Sequence, residues 1–462
     1  MKDKLISFGA KFGNLPKRYP VETALSVFAF VAGCLAYEDI TAASKFYSAA
    51  LLYPIFYAAA FILNRTNAKR AIYYLSVLLP IPFMFIDGIA EWATRPEYFI
   101  TQILCLLAVL ICGRKRDNKA FVQETLAYAV AGAVAGLLSL AVVAAVAAIY
   151  YSVAYIFELP SAHSVIVYAW IASGTILSSA IFLIFQERYE AKPFSAGNVL
   201  KILLDYIVTP ALIIYTVILY VYLIKTAVKW ELPKGGVANM VFAFTIIFTA
   251  VKAMQEIIEK RRYDRLFDRS SWVALPPTVL FWAGTARRVA EYGLTEWRVY
   301  LIICGTIMTV CITLFFSKRA GRYLYVCIAA FILFAATYIP PLSPGHLAER
   351  SQTARIIKAA AEAGVLDNDG RLILGDGSQA DTVFRKQHRR IHKSLEYMSQ
   401  DSVALARFGL SHYFDYAMSL SPETREYCTA YRENDDIEAT VADTLTVEET
   451  IRVEEADTSG TK

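Results

Sequence analysis

Residues 129–157 read AVAGAVAGLLSLAVVAAVAAIYYSVAYIF, 29 positions without one charged side chain. Extended back to Ala127, the run has 31 residues and spans about 47 Å as a helix, against roughly 30 Å for a bilayer hydrocarbon core. Nothing so apolar is needed in a water-soluble domain, and in lipid only a helix or a closed barrel satisfies its own backbone. The rest of the chain agrees. Of 462 residues, 56% are hydrophobic and only 19% are charged, against about a quarter charged in ordinary soluble chains. Mean hydropathy is +0.42. Disordered and collagen-like classes are excluded by the same numbers.

With about 17–20 apolar residues as the ruler, eleven segments qualify: Val21–Tyr37, Phe46–Leu63, Ala71–Asp87, Tyr98–Cys112, Ala127–Phe157, Ser164–Phe185, Val199–Lys225, Val237–Ile258, Trp272–Ala286, Val299–Phe316 and Tyr323–Ile339. The expected fold is an all-α polytopic membrane helix bundle, with about 11 transmembrane helices and a small, mainly α C-terminal soluble domain. The ninth segment is short and holds Pro276 and Pro277, so a re-entrant hairpin is the alternative there. In the fifth, Ala129, Gly132, Ala133 and Gly136 form a small-residue face suited to close helix packing.

Charge sets the expected orientation. Lys2, Lys4, Lys11, Lys17 and Arg18 precede the first segment, and the loops after even-numbered segments hold Arg65, Lys69 and Arg70, then Arg114, Lys115, Arg116 and Lys119, then Lys318, Arg319 and Arg322. By the positive-inside rule residues 1–20 are a basic cytoplasmic N-terminus, residues 21–340 the bundle, and the C-terminal domain is extracytoplasmic. Residues 1–340 carry 32 Lys+Arg against 20 Asp+Glu, net +12, and residues 341–462 carry 14 against 21, net −7. That acidic balance, with basic loops interleaved between apolar spans, excludes nucleic-acid binding.

After the stop PPLSPGH, residues 341–432 read as a mainly helical domain and 433–462 as an acidic tail. A helix over Ser351–Ala363 is expected to end at Gly364 in a Schellman motif. Asp369-Gly370 signals a two-residue hairpin turn. Over Asp381–Ser399 an apolar stripe of Phe384, His388, Ile391, Leu395 and Met398 predicts an amphipathic helix. Two further helices follow Asp401 and Ser421. No acid or thiol completes a site with His388 and His392, and Arg389, Arg390 and Lys393 repel a cation, so neither metal nor cofactor is expected.

Three groups of residues are candidates for function. Lys201 and Asp205 stand one turn apart in the seventh segment, as an interfacial ion pair or an intramembrane polar site. Arg287, Arg288, Glu291, Glu296 and Arg298 gather at one membrane surface, where arginines suit an anionic headgroup, a phosphate or an acidic partner. Between them Gly293 supplies a positive φ for a sharp turn, and Thr295 caps the next helix with Glu296 in its first turn. The third is KWELPKGGVANM at residues 229–240, where Trp230 suits the headgroup level and Pro233, Gly235 and Gly236 a tight hairpin.

The stretches RYPVE (Arg18–Glu22), LYVYLIKTAVKWELPKGGVANMV (Leu219–Val241) and RVAEYGLTEWRVYLI (Arg288–Ile302) resemble the bacterial domain of unknown function 4153, a family of multi-pass membrane proteins. Trp230, Pro233, Gly235, Arg288, Tyr292, Gly293, Thr295 and Arg298 are the positions that match. The resemblance implies a bacterial inner-membrane protein and carries no catalytic residues with it. From the residues themselves the leading expectation is a non-enzymatic scaffold or sensor, presenting the acidic domain to an envelope partner or ligand. A small-solute transporter or permease is the alternative, and a lipid- or glycan-modifying enzyme using Glu291 or Glu296 is a third. The lipid bilayer is the partner expected in all three, with an envelope protein or anionic lipid headgroup beside it. Oligomeric state is not legible.

Overall fold

In the computed structural model the described residues are 11–38, 43–66, 69–158, 163–191, 194, 197–229, 236–258, 262–317, 319–375, 382–399 and 401–429. Among them the chain is helical throughout, and β structure is confined to one isolated bridge, Leu366 to Leu372. In chain order the main helices are α1 (Pro20–Glu38), α2 (Ala43–Leu51), α3 (Tyr53–Arg65), α4 (Arg70–Leu75), α5 (Pro96–Cys112), α6 (Asn118–Ile156), α7 (His163–Tyr189), α8 (Leu200–Lys229), α9 (Gly236–Gln255), α10 (Ser270–Tyr292), α11 (Glu296–Leu314) and α12 (Tyr323–Ala336). There follow α13 (Pro344–Ala363), α14 (Thr382–Tyr397), α15 (Ser402–Arg407), α16 (Tyr413–Ser419) and α17 (Pro422–Thr429).

Among the described residues six helices are long and apolar enough to cross a membrane: α1, α6, α7, α8, α9 over Ala238–Gln255, and α11. A seventh arises if α2 and α3, bent by 49° at Leu52, are one span, with Pro54 in the first turn of α3. α5 and α12 are apolar but shorter, and α4 continues through a 3₁₀ turn into a short helix to Phe83. Pro276 and Pro277 lie inside α10, which runs through them for 23 residues.

The chain divides into two units. The first comprises Met1–Ile213, Phe248–Ser271 and Val310–Ala335. Here α6 is 39 residues, about 58 Å at 1.5 Å per residue. Its buried face is Ala127, Ala131, Ala135, Ser139 and Val143, a strict i+4 row. The small-residue face expected for packing is not the one used: a Cβ on Gly132 or Gly136 would meet nothing within 4 Å. Alanine is small enough for close approach and has a better helix propensity than glycine. Ser173 of α7 closes the contact by donating to the Ser139 carbonyl at 2.9 Å. That serine opens a π-turn over Ser173–Leu177, and a second interrupts α8 at Leu203–Val208.

The second unit comprises Ile214–Ile247, Trp272–Thr309 and Ala336–Lys462. Within it α13–α17 surround a core of Ile356, Ala360, Ile391, Leu395, Leu405, Phe408, Tyr416 and Cys428. The stripe read from the sequence faces this core: His388, Ile391 and Leu395 have no exposed surface. His388 Nδ1 and the Tyr416 hydroxyl meet at 2.6 Å. α13 ends in a Schellman motif, with Gly364 at φ +68°, Val365 N donating to Ala360 O at 2.9 Å and Gly364 N to Ala361 O at 3.2 Å. The following turn differs from the two-residue form expected. Only Gly370 has positive φ (+77°), and Gly370 N donates to Asp367 O at 3.0 Å. A type I′ turn needs both central residues left-handed, and here Gly370 alone is. Asp401 caps α15, its Oδ1 accepting from Val403 N and Ala404 N at 3.0 Å each.

Candidate functional site

α10 stops where Gly293, at φ +77°, donates its N–H back to Val289 O at 2.9 Å. Two residues later Thr295 Oγ1 accepts from Arg298 N at 3.4 Å and opens α11, with Glu296 at its first position. Such a corner leaves backbone donors and acceptors at two helix ends that need partners. The C-terminal helices supply them. Ser351 Oγ accepts from Leu294 N at 3.0 Å. Gln352 Nε2 donates to Leu294 O at 2.8 Å and Tyr292 O at 3.2 Å, and the Tyr397 hydroxyl accepts from Glu296 N at 3.0 Å. Gln352 is 2% exposed, so its own two bonds are made largely out of water, whereas the Tyr397 bond lies at the exposed edge of the corner.

Arg298 is 8% exposed. Its Nη1 donates to Gly293 O at 2.9 Å, and its guanidinium lies 5.4 Å from the centre of the Tyr292 ring, a cation–π distance. Arg355 of α13 stands on the other side: its Cδ would be 3.5 Å from a Cβ on Gly293. Burial pushes Arg355 down to about 10, and the positive charges of Arg390 and Arg298 add to the shift. Burial raises the Tyr397 phenol; the hydrogen bond from Glu296 N–H opposes the rise, and the charges of Glu296 and Arg298 act in opposite directions.

Not all five charged residues read from the sequence belong to this seam. Arg287 Nε and Glu291 Oε2 form an exposed i,i+4 pair at 3.8 Å, Arg288 is half-buried, and Glu296 Oε1 lies 3.1 Å from a Cβ built on Gly345. Trp230, Pro233 and Gly235 lie outside the described residues. Ser351, Gln352, Arg355 and Tyr397, which complete the seam, were not singled out from the sequence. Only contacts over 50 or more residues bring the α13 groups to the corner.

In the first unit Asp205 is buried, and its Oδ1 has no hydrogen-bond partner among the described residues. The expected ion pair with Lys201 does not form. The π-turn over Leu203–Val208 is the reason: with i→i+5 bonding, residues four apart no longer stack on one face. Thr209 is fully buried with its Oγ1 likewise unbonded among the described residues. The sequence reading also missed Glu22. Its carboxylate is fully buried, accepting from Asn64 Nδ2 at 3.0 Å and from the Tyr73 hydroxyl at 2.5 Å. Arg65 and Glu124 form an ion pair in this unit.

Residues 25–375 match the model of a family described as domain of unknown function, DUF4153, and the chain belongs to that family. An uncharacterized protein of Pasteurella multocida (strain Pm70), PM1469, is 26% identical over 422 residues, covering 87% of this chain and 70% of the relative. No solved structure matches. The family match covers α10, α11 and α13 with Tyr292, Gly293, Arg298, Gln352 and Arg355, and stops before Arg390 and Tyr397.

Proposed function

We propose that the chain is a non-enzymatic membrane scaffold or sensor of the bacterial cytoplasmic membrane, in which a helical domain of residues 341–432 is latched to the α10–α11 corner. About eleven segments cross the bilayer in this reading, the N-terminus is cytoplasmic and the domain is extracytoplasmic. The observation that carries it is the set of four hydrogen bonds from Ser351, Gln352 and Tyr397 to the backbone of residues 292–296. They join a membrane-proximal turn to a domain with its own apolar core, so a change felt by one reaches the other. The latch also supports the topology. Corner and domain meet on one side, which requires an even number of crossings between residues 296 and 344, as α11 out and α12 back provide. The positive loops then put that side outside.

Two measurements test this. Cysteines replacing Leu294 and Ser351 should cross-link in the full-length protein in membranes; failure of that pair under oxidant would remove the latch. Alkaline phosphatase fused after Lys462 should be active and a fluorescent protein at the same place dark, and the opposite result would overturn the span count. A second reading, a permease for a small solute, draws on Asp205 and Thr209 at the α8 π-turn. Asp205→Asn would then abolish uptake in vesicles with the protein still inserted.

A further inference from the structure

Glu22 stands in the first turn of α1 and has no exposed surface. Asn64 Nδ2 of α3 donates to its Oε1 at 3.0 Å, and the Tyr73 hydroxyl of α4 donates to its Oε2 at 2.5 Å. Both donors are neutral, and Glu22 makes no ion pair among the described residues. The cations that flank it are engaged elsewhere: Arg18 pairs with Glu187 of α7 and Arg65 with Glu124 of α6, while Lys45 of α2 lies 5.8 Å from the centre of the Phe85 ring. Lys69, Arg70 and Tyr74, at the start of α4, are exposed. The other titratable groups nearby are phenols, Tyr19 on α1 itself, Tyr53 and Tyr57 on α3 and Tyr73 on α4. One turn further along α1, Ser26 Oγ lies 2.9 Å from the Tyr53 hydroxyl, which donates to the Thr175 carbonyl in the π-turn of α7 at 3.3 Å. Ser179 Oγ donates to the Tyr57 hydroxyl at 3.1 Å. The carboxylate therefore stands at one end of a band of hydroxyls shared by α1, α3, α4 and α7.

We propose that Glu22 is a proton-binding site, loaded and emptied in the folded protein, and that its proton governs how α3 and α4 are held to α1. The inference goes beyond the scaffold reading, and because the site lies wholly in the first unit it does not depend on the latch. Taking a carboxylate out of water is costly unless something neutralises it, and an ionisable group kept inside a helix bundle on neutral partners is the usual mark of a proton or ion path. The donor set selects the proton. Asn64 Nδ2 and the Tyr73 hydroxyl turn hydrogens toward the carboxylate, not lone pairs, so a metal ion would have to displace both. A proton needs no added room. It adds to a carboxylate oxygen and forms one O–H bond, with nothing oxidised or reduced. When that oxygen is Oε2, the Tyr73 hydroxyl stops donating there and accepts instead. Bonds to an ionised group are roughly twice as strong as neutral ones, so the neutral acid holds Asn64 and Tyr73 less firmly. Val21 N, which donates to the Tyr73 hydroxyl at 3.4 Å, is placed to report the change.

The full-length protein in detergent is titrated from neutral pH downward, over the range in which its thermal transition persists, and the carbonyl stretch of protonated carboxylic acids is followed by infrared difference spectroscopy. Wild type is expected to gain a band that Glu22→Gln lacks. Glu423→Gln, which removes an exposed carboxylate from its pair with Arg385, should keep that band. Tyr73→Phe should raise its frequency, because the carboxyl group loses one hydrogen bond. Amide exchange at Val21, taken relative to Thr23 in the same sample, should quicken as the band grows in wild type and stay at one ratio in Glu22→Gln. A Glu22 band present at every pH, or absent at every pH, while the protein is folded overturns the proposal, and so does a Val21 ratio that ignores the band. Sodium chloride in place of choline chloride at equal ionic strength should leave the band unchanged; if sodium removes it, the site takes a metal ion and the proton assignment falls. If Glu22→Gln does not fold, the frequency shift in Tyr73→Phe decides alone, and its absence refutes the site.

Discussion

Gly293→Ala tests the corner most directly. Gly293 sits at φ +77°, where an alanine pays about 1–2 kcal/mol for the left-handed conformation. A Cβ there would also lie 2.9 Å from Gln352 Nε2, too close to stay, so the amide must withdraw. Its bonds to Leu294 O and Tyr292 O, at 2.8 and 3.2 Å, are then stretched or broken. At about 0.5–1.5 kcal/mol each the loss adds roughly 1–3 kcal/mol, for a total near 2–5 kcal/mol. Gly364→Ala is the matched control. Its φ is +68° and a Cβ meets nothing within 4 Å, so only the backbone term of about 1–2 kcal/mol applies. The assay is amide hydrogen exchange at Leu294 and Glu296, whose N–H groups are held by Ser351 and Tyr397. At about tenfold per 1.4 kcal/mol, Gly293→Ala should speed exchange roughly 30- to 4000-fold. If the two alanine variants exchange alike at these amides, Gln352 does not hold the corner and the latch reasoning is wrong.

Four further outcomes are expected. Burial lowers the His392 pKa, Lys393 lowers it further and Glu396 opposes both. The unfolded chain therefore takes the proton more readily than the folded one. Its contribution to stability is whole above the unfolded value of about 6.5 and is lost as pH falls through it, so thermal stability should decline there and His392→Gln should flatten the decline. The Cys428 thiol is fully buried and raised to about 11 by burial; it should resist iodoacetamide in the native protein and react once unfolded, read by peptide mass. Tyr416→Phe removes the hydroxyl at 2.6 Å from His388 Nδ1 and should cost about 1–3 kcal/mol in the melt of the C-terminal helices. Asp401→Ala, losing two capping bonds, should cost about 1 kcal/mol by the same measurement.

What the sequence made legible was what one helix or one turn decides locally. Apolar runs located the long helices, and the order Gly293, Thr295, Glu296 announced a corner because each residue answers a backbone need within four positions. The amphipathic stripe of α14 was equally plain, since its period is set by the helix itself. The partners of the corner were not legible. Ser351, Gln352 and Tyr397 are ordinary polar residues until 57 to 101 intervening positions are folded away. Asp205 shows a different failure: i,i+4 reasoning presumes an α-helix, and a π-turn at that residue voids it. Glu22 was overlooked because its partners Asn64 and Tyr73 stand 42 and 51 positions away along the chain.

The length of α6 carries a mechanical consequence. An apolar run of about 47 Å fits a roughly 30 Å hydrocarbon layer only if its axis leans some 50° from the bilayer normal, beyond the usual range of 0–40°, or if the lipids thicken around it. Each ångström of disagreement costs a fraction of a kcal/mol, and α6 is long enough to act as a lever. Longer acyl chains let it stand more upright and shorter ones press it flat. The row Ala127 to Val143 that seats it on α7 therefore works under a torque set by the lipid, and acyl-chain length becomes a variable to control whenever this protein is reconstituted.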